Sequence, residues 1–528
     1  MATLPPGALM QRAAFGLATA CARLLPGVYG SRLVVLAGGG DNGGDALHAA
    51  AILSARGASV TAITVMPRVH DGGRAALLQA GGRMITAAGT VPPGISPAAG
   101  TAASAGAGGS AAAALPGAAA VSSAQASPAL PVSAAARDAI AAADLIIDGL
   151  LGIGGRGGLR EPAAALAALA ERSAAVVVAA DLPSGVDADT GEVAGAAVRA
   201  DVTITFGTWK PGLLVDPGAS RAGAADLVDI GLGPYLDPPA VQAPQAAELG
   251  RWLPSPSAQS DKYRRGVLGV LAGSDQFTGA AVLCTGGAVR GGAGMVRLVS
   301  AAPAANVVRQ YWPEAVITVV GAADGRPSGR SGAEVIEAAG RVQAWVAGPG
   351  LGTDDGAEQL LAAVLATDLP VLVDADGLTI VARRKELLNR AAPTLLTPHA
   401  GELARLMGAD REEIEAGRLR FARQAASELD VTVLLKGSTT VVASPASDEP
   451  VLANPTGTSW LATAGSGDVL SGLAGSLLAQ GLDPRRAAAG AAYLHGVAAR
   501  LAADGAPIGA ADLLTSLQSA LRTVAARN

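Results

Sequence analysis

The sequence predicts two α/β domains, each built on a mainly parallel sheet covered by helices on both faces. Three observations carry that reading. Short apolar strands alternate with helix-length segments in both halves of the chain, and glycine-rich turns follow several strands. The chain is 50% hydrophobic but only 3% aromatic, so the cores must be assembled from Ala, Val, Leu and Ile. Its 70 glycines suit the many tight turns that such alternation needs.

The elements follow in order. Residues 8–25 are apolar, but Arg12 and Arg23 interrupt them, and Leu9, Ala13, Leu17 and Ala20 recur at helical spacing. An amphipathic helix is expected there rather than a signal peptide. Segments 32–37, 59–66, 144–148, 175–181 and 202–206 read as strands, and 45–56 as a helix. Between about 88 and 135 the alternation breaks. Residues 98–117 are nearly all Ala, Gly, Ser, Thr and Pro, without charge or period, which predicts a disordered surface insertion. Pro238, Pro239, Pro244, Pro254 and Pro256 then crowd into a stretch that reads as a linker. A second alternation follows, with strands at 267–272, 295–300, 344–347, 370–374, 394–397 and 432–436. The expected domains are therefore 1–240 and 250–528.

Composition narrows the function classes. A net charge of −5 offers no basic footprint for nucleic acid and no polybasic membrane patch. No run of 18 strongly apolar residues is present, so no membrane span is expected. Cys21 and Cys284 lie far apart without CxxC spacing, which argues against a disulfide framework or a structural zinc site. A reducing cytoplasm is the expected compartment.

The first glycine loop, Gly38 to Asp45, follows a strand and opens a helix. Gly38, Gly40 and Gly43 satisfy GxGxxG, the Rossmann fingerprint. The second strand, however, ends at Val65-Met66-Pro67 without the usual carboxylate, and Asp45 would repel a pyrophosphate. An ordinary NAD-dependent dehydrogenase is disfavoured. Three further clusters fall at strand ends: Asp148 through Gly158, Asp181-Leu182-Pro183-Ser184-Gly185-Val186-Asp187, and Thr205 through Gly212 with Lys210. Each alone reads equally well as turn chemistry. Asn42, Asp148 and Ser184 also offer oxygen ligands suited to a hard monovalent or divalent cation.

Taken together, these motifs over 4–233 resemble the NAD(P)H-hydrate epimerase family (YjeF N-terminal type), which implies a Rossmann-like three-layer domain. The family's N-N-G-G-D-G stands here as Asp41-Asn42-Gly43-Gly44-Asp45-Ala46. Family members usually carry another helical segment before the residues matching 6–10. The resemblance implies that Asp41, Asn42, Gly43, Gly44 and Asp45 contact a hydrated nicotinamide nucleotide. Gly152, Ile153, Gly154, Gly155, Arg156, Gly157, Gly158 and Asp181 would do the same. It also implies that Asn42, Asp148 and Ser184 hold K+. Asp181 and Lys210 are the candidates for proton transfer during inversion at C6 of the nicotinamide ring.

In the second half the strongest signal is Thr463-Ala464-Gly465-Ser466-Gly467-Asp468. A Gly-Ser-Gly turn opening a helix aims backbone N–H groups at one spot, an anion hole suited to a transferring phosphoryl group. Asp468 beside it can accept the proton of an attacking hydroxyl; an Asp placed there by the helix dipole alone is the plainer alternative. Glycines at 273–281 and 348–352, carboxylates at Asp374 and Asp376, and Thr397-Pro398-His399-Ala400-Gly401-Glu402 surround the same chemistry. Lys436 is one of only four lysines. No GxxxxGK[ST] sequence occurs.

Segment 250–527 resembles the ADP/ATP-dependent NAD(P)H-hydrate dehydratase family, which has a ribokinase-like α/β fold. That resemblance places Ala281, Gly350 or Gly352, His399 and Asp468 against the hydrated cofactor. It places Lys436, Gly437, Ser438, Thr439, Thr440 and Gly467 around the adenine nucleotide. The chain carries a few extra residues, around Thr458-Ser459-Trp460, before the family's anion hole. The implied partners are hydrated NADH or NADPH and ADP, with K+ in the first domain and Mg²⁺ in the second; a homo-oligomer is expected. The rival reading is a ribokinase-like small-molecule kinase with a non-catalytic N-terminal ligand-binding module.

Overall fold

The computed structural model describes residues 5, 7–88, 132–255, 257–320, 331–446 and 448–525. Of the insertion expected at about 88–135, residues 89–131 lie outside the described residues; its two ends are ordered, Ala88 and Val132 in a bridge and Ala134 at the start of a helix. The chain divides into two compact units. The first comprises 1–185, 194–206 and 222–230; the second comprises 186–193, 207–221 and 231–528.

Among the described residues, the first unit holds a seven-stranded sheet. Its strands are β1 (Arg32–Ala37), β2 (Ser59–Thr64), β3 (Arg83–Thr86), β4 (Leu145–Gly149), β5 (Val176–Ala180), β6 (Val202–Phe206) and β7 (Ala224–Val228). They run in the order β3-β2-β1-β4-β5-β6-β7, every pair parallel. Burial on both faces explains why β1 and β4 read as unbroken apolar runs. On one face Val34, Leu36, Ile146 and Val177 pack with Ile140 and Leu166 of helices Ala134–Ala141 and Ala163–Glu171. The expected N-terminal helix spans Ala8–Leu24 and buries Ala13, Ala14, Leu17, Ala18 and Cys21, a spacing of three and four.

Two sequence expectations shift. The helix after β1 spans Asp41–Ala55, so it begins four residues before the expected start. Asp41 in its first turn complements the helix dipole, and Asp45 sits one turn inside rather than at the end. Around the insertion, Ala88 and Val132 form an antiparallel bridge. The chain thus leaves and re-enters at neighbouring points, and the Ser133 hydroxyl caps the next helix by accepting from Ala136 N.

In the second unit a ten-stranded sheet is described. Its strands are β8 (Val241–Gln242), β9 (Val267–Leu271), β10 (Met295–Ala301), β11 (Val316–Val320), β12 (Ala344–Ala347), β13 (Val371–Val373), β14 (Thr394–Leu396), β15 (Thr432–Leu435), β16 (Val441–Ala443) and β17 (Val451–Ala453). The order is β11-β10-β9-β12-β13-β14-β15-β16-β17-β8, antiparallel only at β15–β16 and β16–β17. One face packs Leu271, Trp345, Val371 and Val433 under helices such as Asp355–Leu365 and Arg418–Leu429. The other packs Leu268, Val346 and Leu434 under helices Thr278–Arg290, Ser466–Ala479 and Pro484–Ala503. The proline-rich stretch read as a linker carries β8 and helix Ala246–Trp252, the latter closed by a Gln245/Glu248 capping box. Its apolar period is too short to register, because β8 has two residues and the helix seven.

Both sheets reverse their strand order at one place, β1 against β4 and β9 against β12. Parallel α/β sheets bind ligands beyond the carboxyl ends of their strands at such a reversal. The loops leaving these four strands are Gly38–Gly40, Leu150–Gly158, the segment from Ala272, and the segment from Gly348, all singled out by their glycines.

Candidate active sites

In the first unit, Gly38 lets the loops after β1 and β4 meet. A methyl group at that position would stand 1.9 Å from Leu150 O, so only glycine fits. Beyond the contact, Asp148 at the end of β4 is completely buried. Its carboxylate accepts from Ser184 N at 2.8 Å, Ser184 Oγ at 2.7 Å and Leu150 N at 3.2 Å. Asn42 Nδ2 donates to Leu151 O at 2.9 Å, and Leu151 N donates to Ser184 Oγ at 2.8 Å. Asn42, Asp148 and Ser184 are thus brought together around the Leu151 peptide. Asn42 Oδ1 is buried and has no hydrogen-bond partner. Burial pushes the Asp148 carboxyl up to about 6, against the Ser184 and Leu150 hydrogen bonds that hold it down. A buried carboxylate, an orphaned amide oxygen, a hydroxyl and a peptide carbonyl make an all-oxygen donor set, which fits a hard cation such as potassium.

Asp181, just past β5, adopts φ 66°, a left-handed conformation uncommon for a non-glycine residue and characteristic of functional sites. Its Oδ1 accepts from Thr205 Oγ1 at 3.1 Å and Phe206 N at 3.0 Å. Asp45 lies close enough that burial first, and then the charges of Asp181 and Asp41, push its carboxyl up to about 7. Arg156 and Ile153 are exposed on the loop after β4. Lys210 is buried and belongs to the 207–221 segment of the second unit.

In the second unit, Gly465 takes φ 85° and starts helix Ser466–Ala479, whose N-terminus no side chain caps. Lys436 stands over this end: a methyl group on Gly467 would lie 3.5 Å from its Nζ. Lys436 Nζ donates to Asp374 Oδ1 at 2.7 Å, and Ser471 Oγ donates to Asp374 Oδ2 at 2.6 Å. Glu402 Oε2 is 3.8 Å from the same ammonium. Burial works against the Lys436 charge, but Asp374 and Glu402 outweigh it and its pKa is raised. Asp468 is pushed up to about 7 by burial and then by Asp374, with Lys436 pulling the other way. A carboxylate poised near neutrality beside an uncapped helix N-terminus is suited to general-base work. His399 Nδ1 accepts from Gly401 N and Glu402 N at 3.0 and 3.2 Å, which leaves the ring proton on Nε2. Burial, Lys436 and Arg405 lower its pKa, so the neutral ring is a donor.

A family model described as NAD(P)H-hydrate dehydratase matches residues 268–522, and one described as YjeF-related protein N-terminus matches 6–212. The bifunctional NAD(P)H-hydrate repair enzyme of Mycobacterium tuberculosis is 44% identical over 496 residues, covering 93% of this chain and 88% of that protein. This chain belongs to the bifunctional NAD(P)H-hydrate repair enzyme family. The Mycobacterium leprae member is 43% identical over 533 residues, covering 100% of this chain and 96% of its own. A crystal structure of the ADP/ATP-dependent NAD(P)H-hydrate dehydratase from Bacillus subtilis, co-crystallised with ATP and Mg²⁺, is 30% identical. It covers 53% of this chain and 97% of its own, with a TM-score of 0.45.

For this family member the remaining sequence-derived residues fall as follows. Gly350 and Gly352 both take positive φ, and Gly352 N donates to Asp376 Oδ2 at 2.9 Å. Ala281 is fully buried, its methyl turned toward Gly273, so it can offer a ligand only backbone. Gly437 and Ser438 are exposed, whereas the Thr439 hydroxyl donates to Asp216 Oδ2 at 3.1 Å. Arg418 donates to the carbonyls of Leu435, Lys436 and Thr439 and so fixes this turn. Sequence reasoning singled out Asp374 and Glu402 as carboxylates of strand-end motifs without assigning them a partner, and missed Ser471. For Asp374 the available signal was its place directly after a parallel strand; for Ser471 it was the four-residue step from Gly467, one helical turn.

Proposed function

We propose that the protein restores hydrated NADH and NADPH, interconverting the two C6 epimers in its first unit and dehydrating one of them with ADP in its second. Asp468 takes the proton of the ring hydroxyl as that oxygen attacks the terminal phosphate of ADP. AMP leaves as the phosphoryl group transfers; the C6–O bond of the new phosphate ester then breaks and C5 gives up a proton, releasing phosphate and forming the dihydropyridine. The carrying observation is the convergence of Asp468, Lys436 and Asp374 on the uncapped N-terminus of helix Ser466–Ala479. Lys436 and the helix amides favour the negative charge that gathers on the transferring phosphoryl group. Mg²⁺ supplies charge neutralisation on the nucleotide phosphates when bound, and Lys436 through Thr440 line the nucleotide.

In the first unit, Asn42, Asp148 and Ser184 would hold potassium, which would supply a fixed positive charge among the oxygens at the end of β4. Asp181 moves a proton at the inverting carbon, on its position and left-handed backbone. Family membership favours repair over the small-molecule kinase considered from the sequence. The test is to incubate the protein with mixed hydrate epimers and ADP and follow the return of reduced-cofactor absorbance. Complete recovery is expected. Recovery that stops at one epimer's share would remove the epimerase half, and none at all would remove the dehydratase half.

A further inference from the structure

The proposed inversion needs an acid as well as a base. The C6 hydroxyl sits on the carbon bonded to ring nitrogen N1, so the hydrate is a hemiaminal. The least demanding way to invert such a centre is to open it. A base removes the hydroxyl proton, the electron pair left on oxygen forms the second C6–O bond of the aldehyde, and the C6–N1 bond breaks with its electrons passing to N1, which takes a proton. Rotation about C5–C6 presents the other aldehyde face. N1 then closes on it, returning its proton to the acid, while the oxygen recovers one from the base. Atoms and charge balance without any redox partner.

We propose that Asp45 is this acid, paired with Asp181 as the base across the mouth of the β1 loop. Three observations on the structure support the assignment. Asp45 Oδ1 is buried yet has no hydrogen-bond partner, although a buried polar atom normally finds one. The neighbouring Asn42, nine-tenths buried, also has an unpartnered oxygen on the same helical turn. Asp181 presents its carboxylate from a left-handed backbone position, with Oδ1 held by Thr205 and Phe206. Asp41 precedes Asp45 on the same helix. The His70 ring lies over Gly44, and His48 packs against His70 with ring centroids 5.7 Å apart. Burial first, and then the Asp181 and Asp41 charges, push the Asp45 carboxyl up to about 7, which suits it to give a proton.

The inference rests on the epimerase reading but is separable from it. Asp45→Asn in the full chain keeps the size and one donor of the acid but cannot exchange a proton with N1. The expected result is a loss of about 10²- to 10⁴-fold in epimerisation kcat, with KM for the hydrate nearly unchanged and ADP-dependent dehydration intact as the control for folding. Epimerisation within about threefold of the parent, or a rise in KM with kcat preserved, would overturn the acid role and leave Asp45 a binding residue. Asp45→Glu, which restores the acid, is expected to recover part of kcat; no recovery would count against the proposal. A parent protein without epimerase activity would instead refute the function itself.

Discussion

The ammonium of Lys436 and the carboxylate of Asp374 are joined at 2.7 Å although 62 residues separate them. Asp374 is 1% exposed, and its second oxygen is taken by Ser471. A carboxylate so enclosed has given up its hydration, and the Lys436 ammonium is the charge that offsets the loss. Lys436→Met therefore leaves a buried charge unpaired. The expected loss of stability is on the order of 3 to 5 kcal/mol, toward the lower end because Lys436 keeps some solvent contact. Denaturant unfolding measures it, and a change below about 0.5 kcal/mol would mean the pair is not closed in solution.

The same cluster sets a pH dependence. Asp468 accepts a proton only when ionised, and its carboxyl is half protonated near pH 7. The kcat/KM for dehydration should therefore fall about tenfold per pH unit below that point and level off above it. Because Lys436 holds the Asp468 pKa down, Lys436→Met should move the falling limb to higher pH. A limb that stays in place in the variant would separate the two residues electrostatically.

How far these features could be read beforehand depended on range. β1, β4 and β12 were legible because burial on both faces leaves near-continuous apolar runs, β6 from its β-branched and aromatic residues, and the glycine loops because close backbone approach admits nothing larger. β7 was not, since Ala224-Ala225-Asp226-Leu227-Val228 is an edge strand with no fully buried residue. Nor was β8, which is two residues long and paired with β17 more than 200 positions away. In the sites, Asp468 was visible from its own motif. Asp374 and Glu402 were visible as carboxylates of their own motifs, but their closure on Lys436 comes from tertiary packing, and spacing carries no trace of that.

Potassium should stabilise the protein as well as activate it. Asp148 is buried among oxygens with Asn42 Oδ1 unpartnered, so an ion bound there favours the folded state by mass action. Thermal unfolding in saturating potassium should exceed that in an equal concentration of a large organic cation. Asp148→Ala should lose both that difference and potassium-dependent epimerisation. Normal epimerisation by this variant in potassium-free buffer would sink the site.

Deleting residues 100–127 should leave both activities in place. The bridge between Ala88 and Val132 closes the fold beneath that stretch, and the residues that remain on either side can still span the gap. The expected change in stability is below about 2 kcal/mol, as for surface alterations away from packed features. A larger loss would show that the stretch packs against the protein.

The two units should be separable by one substitution each. Asp468→Asn preserves shape and hydrogen bonding but removes the base, so ADP-dependent dehydration should fall by about 10²- to 10⁴-fold while the epimers still interconvert. Asp181→Asn should act in reverse. Given a mixture and ADP, it should consume the dehydratase's own epimer and then stall. Spontaneous interconversion slowly erases that plateau, so the early time points decide the comparison. The reasoning needs Asp181 and Asp468 to serve different reactions, as their places in separate compact units suggest. If Asp468→Asn abolished both activities in a protein that unfolds at the parent temperature, one shared site would have to replace the two.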